Sequence, residues 1–136
     1  MDPKSALVGI NHVSISVSDL DRSLEFYRDV LKLPLLVEPS PGVKFEGMGA
    51  ILAVGRTPLA LQQHAEHQPG AFDPRRTGLD HLAFQVASLV ALEEWEILLD
   101  AASCSHSGIQ EVPGFGFHLH FHDPDGVQLE LFASNS

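Results

Sequence analysis

One short motif occurs twice in the chain, and each copy opens a similar run of residues. Gly9-Ile10-Asn11-His12 precedes the run 13–17, and Gly78-Leu79-Asp80-His81 precedes the run 82–86. In both runs large apolar residues alternate with small or polar ones, which predicts a strand. Each strand is followed by a segment with the apolar spacing of an amphipathic helix. A repeat of this kind predicts two similar modules in one chain.

The first module is predicted to contain a strand, a helix and three further strands. Ser18 or Asp19 is a suitable N-cap for the helix, and Pro34 stops it. The three strands are expected near residues 35–38, 50–55 and 59–64. The apolar residues that the helix is expected to bury are Leu20, Leu24, Phe26, Tyr27, Val30 and Leu31.

The second module repeats this order of elements. After its first strand, a helix is predicted from about Ser88 to Ala102, with Trp95 among its buried residues. Asp123-Pro124-Asp125-Gly126 is a strong turn signal, in which both aspartates are interpreted as turn residues. The three strands are expected near residues 109–112, 117–122 and 127–132.

These patterns predict an α+β fold of two tandem βαβββ modules, whose curved mixed sheets surround a cleft. Module one covers about residues 8–64 and module two about residues 78–133, with a linker at residues 65–77 that is rich in Pro, Gly and charge. The chain has 136 residues, of which 44% are hydrophobic, so it suits a single compact domain with a real core.

Alternation along the strands places most of the histidines on one face of the predicted sheets. Because neighbouring side chains in a strand point to opposite faces, His12 opposes Val13, His81 opposes Leu82, and Glu130 opposes its apolar neighbours. The apolar faces are expected to pack against the helices. His12, His81 and Glu130 are therefore expected to point into the cleft.

Two histidines and one carboxylate form a suitable ligand set for Fe, Mn, Co, Ni or Zn, with positions left open for substrate. The three residues are far apart in sequence, and the chain has no local metal motif such as HExxH. From spacing alone, a metal site and ordinary half-buried histidines remain alternative interpretations.

Charge and cysteine content exclude several classes of function. The formal net charge is −10 with His counted as neutral, which argues against binding to nucleic acid or to an anionic membrane surface. Cys104 is the single cysteine, so no disulfide within the chain is expected. Neither a membrane-spanning apolar run nor a signal peptide is recognised, and a cytoplasmic location is expected.

Three segments resemble the vicinal-oxygen-chelate superfamily, which contains glyoxalase I, fosfomycin- and bleomycin-resistance proteins and extradiol dioxygenases. INHVSISVSDLDRSLEFYRDVLKLPL resembles the first strand and helix of that family, GLDHLAFQVAS the start of its second module, and FHDPDGVQLELF its closing hairpin. The resemblance covers nearly the whole chain and is weakest over residues 37–56. It implies the paired-module fold and a divalent metal ion held at the positions of His12, His81 and Glu130.

One departure from the family pattern bears on the reaction. Glyoxalase I usually has a fourth, acidic ligand on the fourth strand, where this chain has Ala60. A three-ligand set resembles instead the fosfomycin-modifying transferases and extradiol dioxygenases. The resemblance therefore implies a metal-dependent enzyme with isomerase, lyase or dioxygenase chemistry on a small oxygenated metabolite. The alternative is a metal-free small-molecule binding protein of the bleomycin-resistance type.

Relatives in this family are often homodimers, and some of them build each site from both chains. A homodimer is therefore expected for this chain. Glu130 and His64 are the candidate catalytic residues. His64 is interpreted as a fourth ligand or an acid–base group, and a histidine at the rim of the cleft is the alternative.

The candidate substrate-binding residues are Gln62, Gln85 and His120. Either glutamine is expected to orient substrate or a ligating histidine, with a plain polar lining as the alternative. On the seventh strand, His120 is expected to approach the cleft, and His118 and His122 are expected to lie at the surface or behind the ligands.

Overall fold

The structure of the chain is a computed structural model that describes residues 3–135. Its internal contacts divide the chain into two compact units. The first unit contains the chain up to Leu20 and then Leu33–His67, and the second contains Asp21–Lys32 and the chain from Gln68 onward. Each unit holds one four-stranded sheet.

The sheet of the first unit is built from β1 (Val13–Ser16), β2 (Leu35–Pro41), β3 (Gly47–Val54) and β4 (Thr57–His64). Their order across the sheet is β1-β4-β3-β2. Strand β1 runs parallel to β4, and the other neighbours are antiparallel. Strand β2 pairs irregularly with β3, with shifts of register after Leu35 and Val37.

The sheet of the second unit has the same plan. It contains β5 (Leu82–Gln85), β6 (Gln110–Val112), β7 (Gly116–His122) and β8 (Gln128–Ser134), in the order β5-β8-β7-β6. Strand β5 is parallel to β8. Helix α2 (Leu89–Ala101) follows β5, and the Ser88 hydroxyl caps it by accepting a hydrogen bond from the Ala91 N–H at 3.2 Å.

Helix α1 (Leu20–Glu25) continues into a wider π-helical turn at Phe26–Val30. The element order is therefore βαβββ twice, as the repeated motif predicts, and the mixed four-stranded sheets confirm the predicted fold class. By its contacts, however, the helical segment Asp21–Lys32 belongs to the second unit, although it lies between β1 and β2 in the chain.

Tyr27 anchors this helical segment inside the second unit. Its side chain is fully buried, and its hydroxyl donates a 2.7 Å hydrogen bond to Oδ2 of Asp123. Oδ1 of Asp123 accepts from the N–H groups of Asp125 and Val127 at 2.9 Å. Asp123 is thus a turn residue, as predicted, and also a buried acceptor for the helix. Burial raises the pKa of its carboxyl, and the bond from Tyr27 acts in the opposite direction.

The predicted apolar faces form the cores of both units. In the first unit the buried strand residues include Ile15, Leu52, Leu59 and Leu61, and in the second unit they include Leu119, Phe121, Leu129 and Leu131. Within residues 3–135, no helix combines the length and the apolar character needed to cross a membrane.

The register of the two sheets shows which positions are equivalent. Ser14, two residues after His12, is paired with Ala60, and Ala83, two residues after His81, is paired with Glu130. Ala60 therefore occupies the position in the first sheet that Glu130 occupies in the second.

The antiparallel neighbours extend this equivalence. Ile51 faces Ala60, and His120 faces Glu130. Gly49 and His118 are equivalent in the same way, since Gly49 is paired with Gln62 and His118 with Phe132.

Candidate functional site

His81 lies directly before β5 and is held by the residue that precedes it. Its Nδ1 is 2.8 Å from Oδ1 of Asp80, and a carboxylate only accepts, so Nδ1 carries the hydrogen. The lone pair of the neutral ring is then on Nε2, which lies 3.7 Å from Oε2 of Glu130. The bond to Asp80 and the charge of Glu130 raise the pKa of His81, and burial opposes them.

Glu130 lies in the middle of β8 and is one of the few buried charged residues among those described. Its Oε1 is 3.4 Å from Nε2 of His120 and 3.8 Å from Nδ1 of His118. The pairing of β7 with β8 explains this, because it sets His120 directly opposite Glu130. Glu130 therefore has imidazoles near both of its oxygens.

A cavity of about 440 Å³ opens in the second unit over this cluster. The backbone beside it is held by Gln128, whose Nε2 donates a 2.8 Å hydrogen bond to the carbonyl oxygen of Asp80. The polar residues that line the cavity are Asp80, His81, His120, His122, Gln128 and Glu130.

His12 lies in the first unit, in a local setting like that of His81. Its Nδ1 is 2.7 Å from the amide Oδ1 of Asn11, so the hydrogen is again on Nδ1 and the free lone pair on Nε2. A cavity of about 550 Å³ in the first unit is lined by His12, Gln62 and His64. The ring of His64 also packs against Phe45, with ring centroids 4.7 Å apart.

The side-chain amide of Gln85 forms hydrogen bonds with the residue that follows it and with the neighbouring strand β8. Its Nε2 donates to the carbonyl oxygen of Val86 at 2.7 Å, and its Oε1 accepts from the Ser134 hydroxyl at 2.8 Å. Its assignment to substrate binding stays a prediction.

The structure thus brings His81, His120 and Glu130 together in the second unit, and His12, Gln62 and His64 around one cavity in the first. The roles assigned to these residues remain predictions.

The donor set of the second unit fits a divalent transition-metal ion. Neutral imidazole nitrogen and carboxylate oxygen are the usual ligands of such ions. A metal-ligating histidine almost always donates its other ring N–H to a carboxylate or an amide, as His81 does to Asp80. An ion held there would act as a Lewis acid toward oxygens of a small substrate.

The structure adds detail that the sequence did not give for His118, Lys44 and Phe45. His118, expected at the surface or behind the ligands, lies within 3.8 Å of Glu130. The alternation along β7 already put it on the face of His120, but only the register with β8 shows its distance from the carboxylate. Lys44 and Phe45 line the first cavity and lie in the segment where the family resemblance is weakest.

This fold and this donor set define a protein with paired βαβββ modules and a histidine–carboxylate cluster on its second sheet. Residues 9–131 match the model of the Glyoxalase/Bleomycin resistance protein/Dioxygenase superfamily. The chain belongs to that superfamily.

Relatives and a solved structure agree with this assignment. The Metallothiol transferase FosB of Staphylococcus epidermidis is 46% identical over 128 residues, which cover 93% of this chain and 84% of the relative. Glyoxylase I 4 of Arabidopsis thaliana is 30% identical over 141 residues, covering 96% and 73%. A crystal structure of a glyoxylase/bleomycin resistance protein/dioxygenase domain from Frankia sp. EAN1pec is 34% identical with a TM-score of 0.83, and the match covers 96% of this chain and 95% of that one.

Proposed function

We propose that this protein is a divalent-metal-dependent enzyme that acts on a small oxygenated metabolite by chelating substrate oxygens. The observation that carries the proposal is the approach of His81 Nε2 to Glu130 Oε2, with Nδ1 of His81 held by Asp80. That arrangement fixes the tautomer a metal ligand needs. The family contains metal-dependent enzymes. Two of the relatives, a metallothiol transferase and a glyoxylase, support the same class of chemistry.

His81 and Glu130 are the proposed ligands from the second unit. His12 is the third proposed ligand, on the basis of the sequence resemblance and of its Nδ1 bond to Asn11. Such a set suits Fe, Mn, Ni, Co or Zn. Glu130 holds the charge that balances the cation, and we also propose it as a catalytic residue.

The residues proposed to contact the substrate are His64, Gln62, Gln85 and His120. The first cavity is within the size range of small-molecule sites and combines apolar walls with a few polar groups. His64 is the proposed acid–base group there, because a neutral imidazole has one nitrogen that donates a proton and one that accepts it. Gln62 and His120 line cavities and are proposed to orient the substrate.

The equivalence of Ala60 and Glu130 favours one branch of the chemistry. Glyoxalase I usually has an acidic fourth ligand on the strand that corresponds to β4. This chain has Ala60 at that position, and a methyl group cannot coordinate a metal. We therefore rank three-ligand reactions, such as thiol transfer or ring-opening oxygenation, above the lactoylglutathione lyase reaction. The likeness to a metallothiol transferase supports our ranking of thiol transfer above the other reactions.

Metal content tests this proposal directly. Wild-type protein and the variants His81→Asn and Glu130→Gln would be purified without chelators and analysed for bound metal. Each would then be assayed for thiol transfer to an electrophile, isomerisation of a thiol–oxoaldehyde adduct and oxidation of a catechol. We expect near-stoichiometric metal and one activity in the wild type, and loss of that activity in both variants. A wild type that binds none of the five metals would refute the proposal.

A metal-free binding protein is the second candidate. The cavity of about 550 Å³ in the first unit favours it, because its lining is largely apolar and suits a drug-sized ligand. If this candidate is correct, the variants His81→Asn and Glu130→Gln should bind the small-molecule ligand as tightly as the wild type does. Calorimetry with wild type and both variants separates the two functions.

We also propose that the protein is a cytoplasmic homodimer, following the behaviour of the family. Light scattering after size-exclusion chromatography tests the dimer, and a monomer at micromolar concentration would contradict it.

A further inference from the structure

Glu130 presents its two carboxylate oxygens to different histidines. Oε2 faces His81, and Oε1 faces His118 and His120. The pair on β7 therefore meets the oxygen that the proposed catalytic ligand His81 does not face. This second cluster belongs entirely to the second unit, and none of its members is His12 or His81.

The distances within this cluster are those between ligands of one ion. His120 Nε2 is 3.3 Å from His118 Nδ1 and 3.4 Å from Glu130 Oε1, and His118 Nδ1 is 3.8 Å from Glu130 Oε1. A point equidistant from the three atoms lies about 2.0 Å from each, which is the length of a bond from zinc to imidazole nitrogen or carboxylate oxygen. The other ring nitrogen of His118, Nε2, lies 3.2 Å from His120 Nε2.

The fold itself does not require histidines at these positions. In the first sheet, the residues equivalent to His118 and His120 are Gly49 and Ile51. The same strand arrangement therefore forms with no imidazole at either place. The ring of His118 also packs edge-on against the ring of Phe132, with ring centroids 5.7 Å apart, and this contact restricts its orientation.

We propose that His118, His120 and Oε1 of Glu130 form a second cation site, separate from the site that His81 and Oε2 of Glu130 serve. Two neutral imidazoles and one carboxylate select a borderline transition metal such as Zn²⁺ or Co²⁺ rather than Mg²⁺ or Ca²⁺, which prefer oxygen ligands. His120 and Glu130 border the cavity of the second unit, so open coordination positions are accessible from it. The site goes beyond the proposed enzyme: it shares Glu130 with the proposed catalytic set, but it needs neither His12 nor His81.

The test uses full-length protein from which the proposed catalytic histidines have been removed. In metal-free His12→Asn/His81→Asn protein, Co²⁺ is titrated and its visible absorption is followed. We expect one equivalent of Co²⁺ per chain. Adding His120→Asn should weaken this binding at least about 100-fold, since loss of a mere supporting partner of a ligand already costs 10- to 100-fold.

His122→Asn, added to the same background, is the matched control. His122 lies on the same face of β7 but is paired with Gln128, two positions away from Glu130. Its replacement should leave the Co²⁺ affinity within a few-fold. His120 is exposed, so its replacement should leave the fold intact, which circular dichroism checks.

Either of two results overturns the second site. One is the absence of Co²⁺ binding in the His12→Asn/His81→Asn background, and the other is equal affinity with and without His120. Neither result bears on the proposed enzyme, whose metal and activity are measured in the wild type with His12 and His81 present.

Discussion

Asn11 and Asp80 are the same kind of neighbour to the two proposed histidine ligands. Each supplies an oxygen to Nδ1 of the histidine that follows it, at 2.7 Å and 2.8 Å. The repeated motif therefore contains both a hydrogen-bond acceptor and the proposed ligand that it orients. We interpret Asn11 and Asp80 as positioning residues, because they fix the ring orientation without touching the cation.

Replacement of Asp80 tests this positioning role. Asp80→Ala removes the acceptor, so we expect the affinity of the His81 site for its metal to fall by about 10- to 100-fold. Asp80→Asn keeps an acceptor oxygen, as Asn11 does for His12, and should lose much less. A competition titration against a chromophoric chelator measures both affinities. Equal losses in the two variants would show that charge, not ring orientation, is what Asp80 contributes.

The hydroxyl of Tyr27 stabilises the fold through Asp123. Tyr27→Phe leaves a buried carboxylate oxygen without its donor, so we expect a loss of about 1–3 kcal/mol in the free energy of unfolding at pH 7. Urea denaturation measures it. Ser23→Ala is the control, because the buried Ser23 hydroxyl lies on the same helix and has no hydrogen-bond partner among residues 3–135. Its removal should cost far less.

The loss in Tyr27→Phe should depend on pH in a defined direction. Burial raises the pKa of Asp123 in the folded protein, and the Tyr27 bond counters that rise. Without the hydroxyl the folded-state pKa rises further, so the ionised carboxylate costs more. The loss is therefore full above the raised pKa and shrinks as the pH falls through it towards the ordinary value of an unfolded aspartate. A loss that grows on acidification would contradict the assignment.

The sequence indicated which polar residues share a face of the sheet, but it did not indicate which residues surround them. His81 and Glu130 were assigned from strand alternation and family resemblance, and they lie close together in the structure. The approach of His118 was missed because alternation gives a face and says nothing of the register between β7 and β8. Asp123 was interpreted as a turn residue only, since no local pattern indicates that Tyr27 reaches it from another part of the chain.

Among the structural elements, the closing hairpins depend on a glycine at the start of one strand. Gly116 opens β7 opposite Ser134, and a Cβ there would overlap the carbonyl oxygen of Ala133. Gly47 opens β3 opposite His64 and meets Gln63 in the same way. The repeat thus extends to the backbone contacts of the two hairpins.

Gly116→Ala should destabilise the protein more than the matched change at Gly114. Both glycines have positive φ, +144° at Gly116 and +85° at Gly114, but a Cβ at Gly114 would meet open space. We expect a loss of about 1 kcal/mol for Gly114→Ala from backbone strain alone. Gly116→Ala should lose about 3 kcal/mol or more, because β7 and β8 must also separate. Thermal or urea unfolding compares them, and equal losses would mean that strain alone acts.

The order of the elements and several of their bounds were predictable, whereas the partners of the elements were not. Alternation and turn residues indicated every strand from β1 to β8, because those signals are local. The helix predicted before Pro34 contains a π-helical turn at Phe26–Val30 and packs within the second unit. The spacing of apolar residues indicates only that the helix has an apolar face. Tertiary contacts decide which element covers this face.

At the scale of the whole molecule, the two sheets share a topology but differ in their chemistry. Glu130, His118 and His120 in the second sheet correspond to Ala60, Gly49 and Ile51 in the first. Carboxylate and imidazole side chains thus occupy these positions in the second sheet only, while the first sheet borders the larger, more apolar cavity.

Metal binding should therefore stabilise the entire fold in a way that depends on one carboxylate. A ligand that binds only the folded state at 100 times its Kd adds about 2.7 kcal/mol to the free energy of unfolding. For a chain of this size that corresponds to a rise in Tm of roughly 10 °C. Glu130→Gln keeps the shape of the side chain but removes its charge, so the rise should nearly vanish.

Glu111→Gln is the control for this experiment, because it removes one exposed carboxylate from β6 of the same sheet and changes the net charge equally. Its Tm should rise with metal as in the wild type. The net charge of −10 attracts divalent cations everywhere on the surface, so the comparison separates site binding from general screening. Equal rises in both variants would place the stabilising cation away from Glu130 and would remove the argument for a metal-dependent enzyme at this residue.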